Sequence, residues 1–245
     1  MARMVGTVGQ MLRETGIALE RLGCRLQGNI SFEDPLTRHR EVLALPNHKP
    51  SVKAGCFIAP SAAVVGNVKL GAKSNVWYGA VVKASAHAVE IGEETNIMEG
   101  AVVGSTSAKT EIGSKVMIGS GTVVGGAKVG DGASVGMNCV VADGAVIEAG
   151  AAIAPGSAVF AKTTVPAGQL FAGSPAKYVR DLSSAETSAM VSAASAAGLL
   201  ATPHSTACNK TFAEVEAEKA GYKWKEMKET IDTHNLIENK PPSIW

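Results

Sequence analysis

The sequence predicts an all-β solenoid, a left-handed parallel β-helix. Three observations carry that expectation: a hexapeptide period through the middle of the chain, aromatics at only 4 %, and 27 glycines among 245 residues. A conventional two-layer core draws on Phe, Tyr and Trp, whereas stacked small and β-branched residues do not need them. Formal net charge is +1 and charged residues are 18 %, so no basic field points to nucleic acid.

The period begins after residue 53. Ile58, Val64, Leu70, Val76 and Val82 stand six apart; after a three-residue insertion come Ile91, Ile97 and Val103; after another come Ile112, Ile118 and Val124. The last phase runs Val129, Val135, Val141, Ile147, Ile153, Val159 and Val165. Each hexad is one short strand and one corner. Three hexads close a triangular coil of about 18 residues, whose aliphatics point inward and stack on the coil below. Gly or Ala often follows the aliphatic (Gly71, Gly92, Gly113, Gly130), leaving room at the corners or permitting unusual backbone angles. The stretch gives about six coils. The two insertions, after Val82 and Val103, are expected to leave the solenoid as loops, where a site would be built.

Residues 1–52 are expected to form an N-terminal amphipathic helix and a connector. Met4, Val5, Val8, Met11, Leu12, Thr15, Leu19 and Leu22 recur at helical spacing, with Arg3, Arg13, Arg21 and Arg25 among them and glycines 23 and 28 bracketing the end. An Arg-rich amphipathic start also fits a mitochondrial transit peptide, but Glu14 and Glu20 count against it, which leaves a helix that docks on this protein or a partner. Residues 29–52 read as a polar connector punctuated by Pro35, Pro46 and Pro50. The β-helix spans 53–180, a C-terminal helix 181–202 and a peripheral tail 203–245. No run of 18 apolar residues predicts a membrane span, and the N-terminus lacks a secretory h-region. Cys24, Cys56, Cys139 and Cys208 form no CxxC and read as buried, inert thiols of a reduced compartment.

The hexad rows, Trp77-Tyr78-Gly79, Asn96-Ile97 and the run from Ala172 to Lys177 resemble the γ-carbonic anhydrases. Two further segments, 18–23 (ALERLG) and 36–40 (LTRHR), resemble the N-terminal part of the γ-carbonic-anhydrase subunits of mitochondrial complex I in plants and algae. The resemblance covers roughly residues 6–200. It implies a trimer whose active members bind zinc through three histidines shared across each subunit interface. Three neutral imidazoles leave a fourth position open, where bound water becomes a nucleophile for CO₂.

Aligned on Asn96-Ile97, the first ligand position of that family falls on Gly104; aligned on Val116-Met117-Ile118-Gly119, the other two fall on Ser120 and Gly125. Glycine offers no donor, and a serine hydroxyl is a poor ligand near neutral pH. The family's Arg-Gly-Asp is matched by Lys83, Ala84 and Ser85, its glutamine by Met98, and the loop after the first position is short, at 105–111. Substitution thus falls on the site and spares the scaffold. The resemblance then implies an inactive member with no catalytic residue, zinc or other cofactor of its own. Its partners would be two other γ-carbonic-anhydrase-type subunits in a heterotrimer, and complex I membrane-arm subunits. Its place would be the matrix side of the mitochondrial inner membrane, as a peripheral protein touching the membrane through the N-terminal helix.

The histidines are His39, His48, His87, His204 and His234, and only His87 lies inside the repeat. A second reading makes the chain a hexapeptide acyltransferase with His87 as general base and Glu90 the nearest carboxylate to orient it.

Overall fold

The computed structural model describes residues 2–27, 39–46, 48–104, 107–210, 214–215 and 217–218. It divides into two units, Met1–His39 and Arg40–Trp245.

The first unit is the helix α1 (Ala2–Gln27). It runs through Gly23 rather than ending there. Val8, Met11, Leu12, Leu19, Leu22 and Leu26 are exposed along it.

In the second unit, three stacks of parallel strands build the solenoid. The first face stacks Phe57–Ile58, Asn75–Val76, Asn96–Ile97, Met117–Ile118, Ser134–Val135, Ala152–Ile153 and Gln169–Ala172. The longer strands Ala63–Leu70 and Val81–Ile91 turn a corner and serve both remaining faces. Their first halves carry Val102–Gly104, Val123–Val124, Val140–Val141 and Ala158–Val159. Their second halves carry Thr110–Ile112, Lys128–Val129, Val146–Ile147 and Thr164–Val165. The first face has eight strands, of which only the last, Lys177–Asp181, is antiparallel, so the solenoid makes about seven turns rather than six. The extra turn is closed by Gln169–Ala172, whose Leu170 and Phe171 break the aliphatic hexad rule.

The inward row is as the period demands. Every aliphatic of the six-residue row from Val64 to Val165 is at most 5 % exposed, and only Ile58, at the open first coil, is half-buried. Corner packing fixes the glycines. A Cβ on Gly92 would lie 2.5 Å from the Gly113 carbonyl carbon and the Ser114 nitrogen. The spacing from Val124 to Val129 is one residue short of a hexad. Gly125-Gly126 absorbs the deletion in a tight turn, in which the Ala127 N–H donates to the Gly125 carbonyl (2.8 Å).

Three boundaries differ from expectation. The latter part of the connector belongs to the solenoid: Val42–Leu43 pairs with Val64-Val65, and Ser51–Val52 with Lys69-Leu70, as a partial coil beneath the first. The first insertion does not leave as a separate loop. Residues 85–88 bulge from the continuous strand Val81–Ile91, whose partner register shifts between Gly66 and Val68. The C-terminal helix α2 (Ser184–Cys208) continues past residue 202 and through Pro203. Ring contacts of His204 with Phe57, Trp77 and Tyr78 supply packing for the final turns, offsetting the hydrogen bond that Pro203 cannot donate.

A full capping box starts α2: the Ser183 hydroxyl accepts from the Glu186 N–H, and the Glu186 carboxylate accepts from the Ser183 N–H. The helix then descends the solenoid. Thr187 and Val191 approach Gly150 and Gly132, and Gly198 approaches Asn75. At 1.5 Å per residue its 25 residues span about 37 Å, close to the roughly 33 Å of seven coils. A buried asparagine ladder fastens it. Asn75 Nδ2 donates to Asn96 Oδ1 (2.9 Å), and Asn96 Nδ2 donates to the Ala194 carbonyl (2.7 Å). Of the expected tail 203–245, residues 211–213, 216 and 219–245 lie outside the described residues.

Candidate functional site

Gly104 closes the strand Val102–Gly104 and pairs with Lys83. One coil on, Gly125 follows Val124, which pairs with Val103. The Thr110 hydroxyl lies between them, 2.6 Å from the Gly104 carbonyl and 3.0 Å from the Gly125 carbonyl. Ser120 sits on the preceding corner, where its hydroxyl donates to Glu99 Oε2 (3.0 Å). The fold therefore gathers 104 and 125 and sets 120 on the adjoining corner, but what gathers is backbone.

Asp143 fills the remaining space beside Gly125. Its Oδ1 accepts from the Gly126 N–H (2.6 Å) and its Oδ2 from the Ser107 hydroxyl (2.7 Å), which ties the second insertion to the coil two levels on. Those two bonds, the serine's first, hold the Asp143 carboxyl below its ordinary pKa. A Cβ on Gly125 would meet Asp143 Oδ1 at 2.3 Å. A Cβ on Gly104 would meet nothing within 4 Å. Zinc held in the manner of a catalytic three-histidine site needs nitrogen donors. Two glycines and a serine engaged with Glu99 do not fit it.

His87 lies exposed on the 85–88 bulge. Both Glu90 oxygens face lysines, Oε2 at 2.6 Å from Lys109 and Oε1 at 2.9 Å from Lys69, and those bonds, the Lys109 one first, hold the Glu90 carboxyl below its usual pKa. The carboxylate offered for orienting His87 is thus engaged elsewhere. His39 and His48 are exposed, and His48 forms a backbone bridge with Leu45. His234 lies outside the described residues. Cys56 is half-buried with its thiol donating to the Gly71 carbonyl (2.9 Å), and burial raises its pKa; Cys139 is buried as expected, but Cys208 is exposed, because it lies in the last turn of α2.

Sequence reasoning missed His204. Its ring packs edge-on against Trp77, with centroids 5.2 Å apart, and its Nδ1 lies 3.0 Å from the Tyr78 hydroxyl. The same hydroxyl lies 3.6 Å from Cys208 Sγ. The Cys208 bond, then burial, raises the Tyr78 pKa. The available signal was the i, i+4 spacing of His204 and Cys208, which shares one helix face. A cleft of about 530 Å³ lies alongside, between α2 and the first coils, lined by Cys56, Phe57, Asn75 and Leu199 among others.

A parallel solenoid built of hexads, with a helix packed down one face, defines a hexapeptide-repeat protein. No protein-family model matches the chain. It is 35 % identical over 253 residues to gamma carbonic anhydrase 1, mitochondrial, of Arabidopsis thaliana, covering 100 % of this chain and 92 % of the relative. To gamma carbonic anhydrase 2, mitochondrial, of the same plant it is 37 % identical over 227 residues, 90 % of this chain and 82 % of that one. Among solved structures, a hexapeptide transferase family protein from Anaplasma phagocytophilum superposes with a TM-score of 0.64 at 34 % identity, over 67 % of this chain and 99 % of that one. The chain belongs to the family of the plant mitochondrial γ-carbonic anhydrases.

Proposed function

We propose that the chain is a non-catalytic structural subunit of a γ-carbonic-anhydrase-type heterotrimer, carried on the matrix side of the membrane arm of mitochondrial complex I. The observation that carries this reading is the state of the family's three ligand positions. They hold Gly104, Ser120 and Gly125, and Asp143 stands where a side chain on 125 would begin. The mitochondrial address is supported by the two Arabidopsis relatives, both named as mitochondrial. No described helix is long and apolar enough to cross a membrane, so attachment in this reading is peripheral, through the exposed apolar residues of α1. In a cyclic trimer whose sites are shared between neighbours, one such subunit impairs two of the three interfaces and leaves at most one complete. The chain is then a scaffold that also caps the number of working sites.

The test has two parts. Native electrophoresis of gently solubilised mitochondria, probed for this chain and for NADH dehydrogenase activity, should show co-migration at the size of complex I. Migration as a free trimer removes the complex I assignment. The purified chain should not accelerate CO₂ hydration, and acceleration that is lost in Asp143→Ala or Ser120→Ala would sink the inactive reading. The acyltransferase reading predicts binding of acyl-CoA that weakens with His87→Ala.

A further inference from the structure

We propose that His204, Cys208 and Tyr78 form a binding site for a borderline-soft divalent cation of the zinc class, separate from the family's ligand positions. Counting only His, Cys, Asp and Glu, no three converge among the described residues. The tyrosine completes the trio.

The geometry is that of a ligand set. His204 and Cys208 stand four residues apart on α2, so both project from one helix face toward the solenoid corner that carries Tyr78. Bonds of about 2.0–2.3 Å to N, O and S donors place tetrahedral ligands about 3.3–3.8 Å apart. The Tyr78 oxygen lies 3.0 Å from His204 Nδ1 and 3.6 Å from Cys208 Sγ, so a shift of a few tenths of an ångström admits an ion. The supports are in place. Trp77 and Phe57 wall the imidazole at centroid distances of 5.2 Å and 6.3 Å, leaving Nδ1 turned to the tyrosine. Imidazole with thiolate suits zinc, and oxygen-only cations such as magnesium are disfavoured. On binding, the Cys208 thiol and the Tyr78 phenol release their protons to solvent, His204 binds as the neutral ring, and water takes the fourth position. The dianionic pair neutralises the ion.

The site joins the last turn of α2 to the corner between the first and second faces. Tyr78 lies one coil below Glu99, which lies one coil below Ser120, as the bonds from Gly100 N to Tyr78 O and from Gly121 N to Glu99 O show. It is therefore about 10 Å from Ser120, two strand spacings away. An ion there would pin the C-terminal helix to the first coils.

The test is titration of the full-length chain with Co²⁺ as a spectroscopic stand-in for Zn²⁺, reading the sulfur-to-cobalt charge-transfer band, with Zn²⁺ competing. One equivalent should bind with that band. Cys208→Ser should abolish the band, His204→Gln should weaken binding at least tenfold, and Tyr78→Phe should do likewise. Cys24→Ser and Cys56→Ser should leave it intact. His204 and Cys208 are exposed and Tyr78, Cys24 and Cys56 half-buried, and far-ultraviolet circular dichroism checks that each variant keeps the fold. A wild-type chain without the band, a band that persists in Cys208→Ser, one lost in Cys24→Ser or Cys56→Ser, or equal affinity in Tyr78→Phe or His204→Gln overturns the assignment. Because the readout is binding rather than CO₂ hydration, its failure leaves the scaffold reading unaffected.

Discussion

Val135→Asp puts the inward row under the sharpest stress. Val135 is 1 % exposed and sits between Ile118 below and Ile153 above in the first-face ladder. Losing the valine from the core costs about 2 kcal/mol. The new carboxyl finds no partner among aliphatics, so it neutralises rather than stay charged. Burial raises such a pKa by about 3–5 units from about 3.9. Holding the proton at pH 7 then costs about 4 kcal/mol, at about 1.4 kcal/mol per unit over about three units. The total, about 6 kcal/mol, is comparable with the whole net stability of a domain. The sign of the pH effect follows. The folded-state pKa lies above the unfolded one, so the charge penalty is absent below about pH 3.9 and grows as pH rises toward the folded value. At pH 5 the same arithmetic leaves about 3.5 kcal/mol in total, the charge part having fallen to about 1.5. Urea denaturation at pH 5 and pH 7, with Val135→Asn as the uncharged control, measures both parts. A Val135→Asp protein with wild-type stability at pH 7, or one whose deficit is as insensitive to pH as that of Val135→Asn, would refute the placement of this row.

Two further outcomes concern the ligand positions and the cap. Gly125→His should destabilise by about 1–3 kcal/mol, since its Cβ would start 2.3 Å from Asp143 Oδ1, while Gly104→His, with no atom within 4 Å of its Cβ, should cost far less. Adding Asp143→Ala to Gly125→His should recover at least ~1 kcal/mol of coupling in a double-mutant cycle read by urea denaturation; equal costs at 104 and 125 would remove Asp143 as the obstacle. Glu186 has its carboxyl held down to about 2 by Arg180 first and Ser183 next. A depressed pKa means that its contribution is complete above the usual 4.5 and is lost as pH falls toward 2. Circular dichroism should show the start of α2 loosening over that window in the wild type, and Glu186→Gln should lack that transition.

The solenoid was readable because its rule is local: each inward aliphatic is specified six residues from the next, and the coil stacks like on like. The gaps in that rule were also visible, yet their form was not. Whether a three-residue insertion exits as a loop or stays as a bulge, as 85–88 does, depends on the register of the strand below, which periodicity does not report. The emptiness of 104, 120 and 125 was legible once the chain was aligned on neighbouring motifs. That Asp143 occupies the space was not, because it stands 18 residues from Gly125 and reaches it by stacking. The largest miss was the end of α2. Pro203 is a stop signal in sequence, and the contacts that override it join residues 126 apart. Likewise residues 40–52, polar and proline-marked, pair with a strand only because the first coil offers an open edge.

The last strand on the first face has a consequence for how far this architecture can grow. Each parallel level presents to the next a row of evenly slanted donors and acceptors, and a second copy could in principle continue it without limit. Lys177–Asp181 runs back across Gln169–Ala172 in the opposite sense, with an irregular register between Leu170 and Phe171. A newcomer approaching in the parallel sense meets hydrogen-bonding groups at the wrong spacing. At the other end, Val42–Leu43 and Ser51–Val52 cover the strand Ala63–Leu70. The template is thereby blunted at both ends, by an antiparallel strand on the first face at one and by two-residue strands at the other, which favours association through its sides over fibre formation end to end.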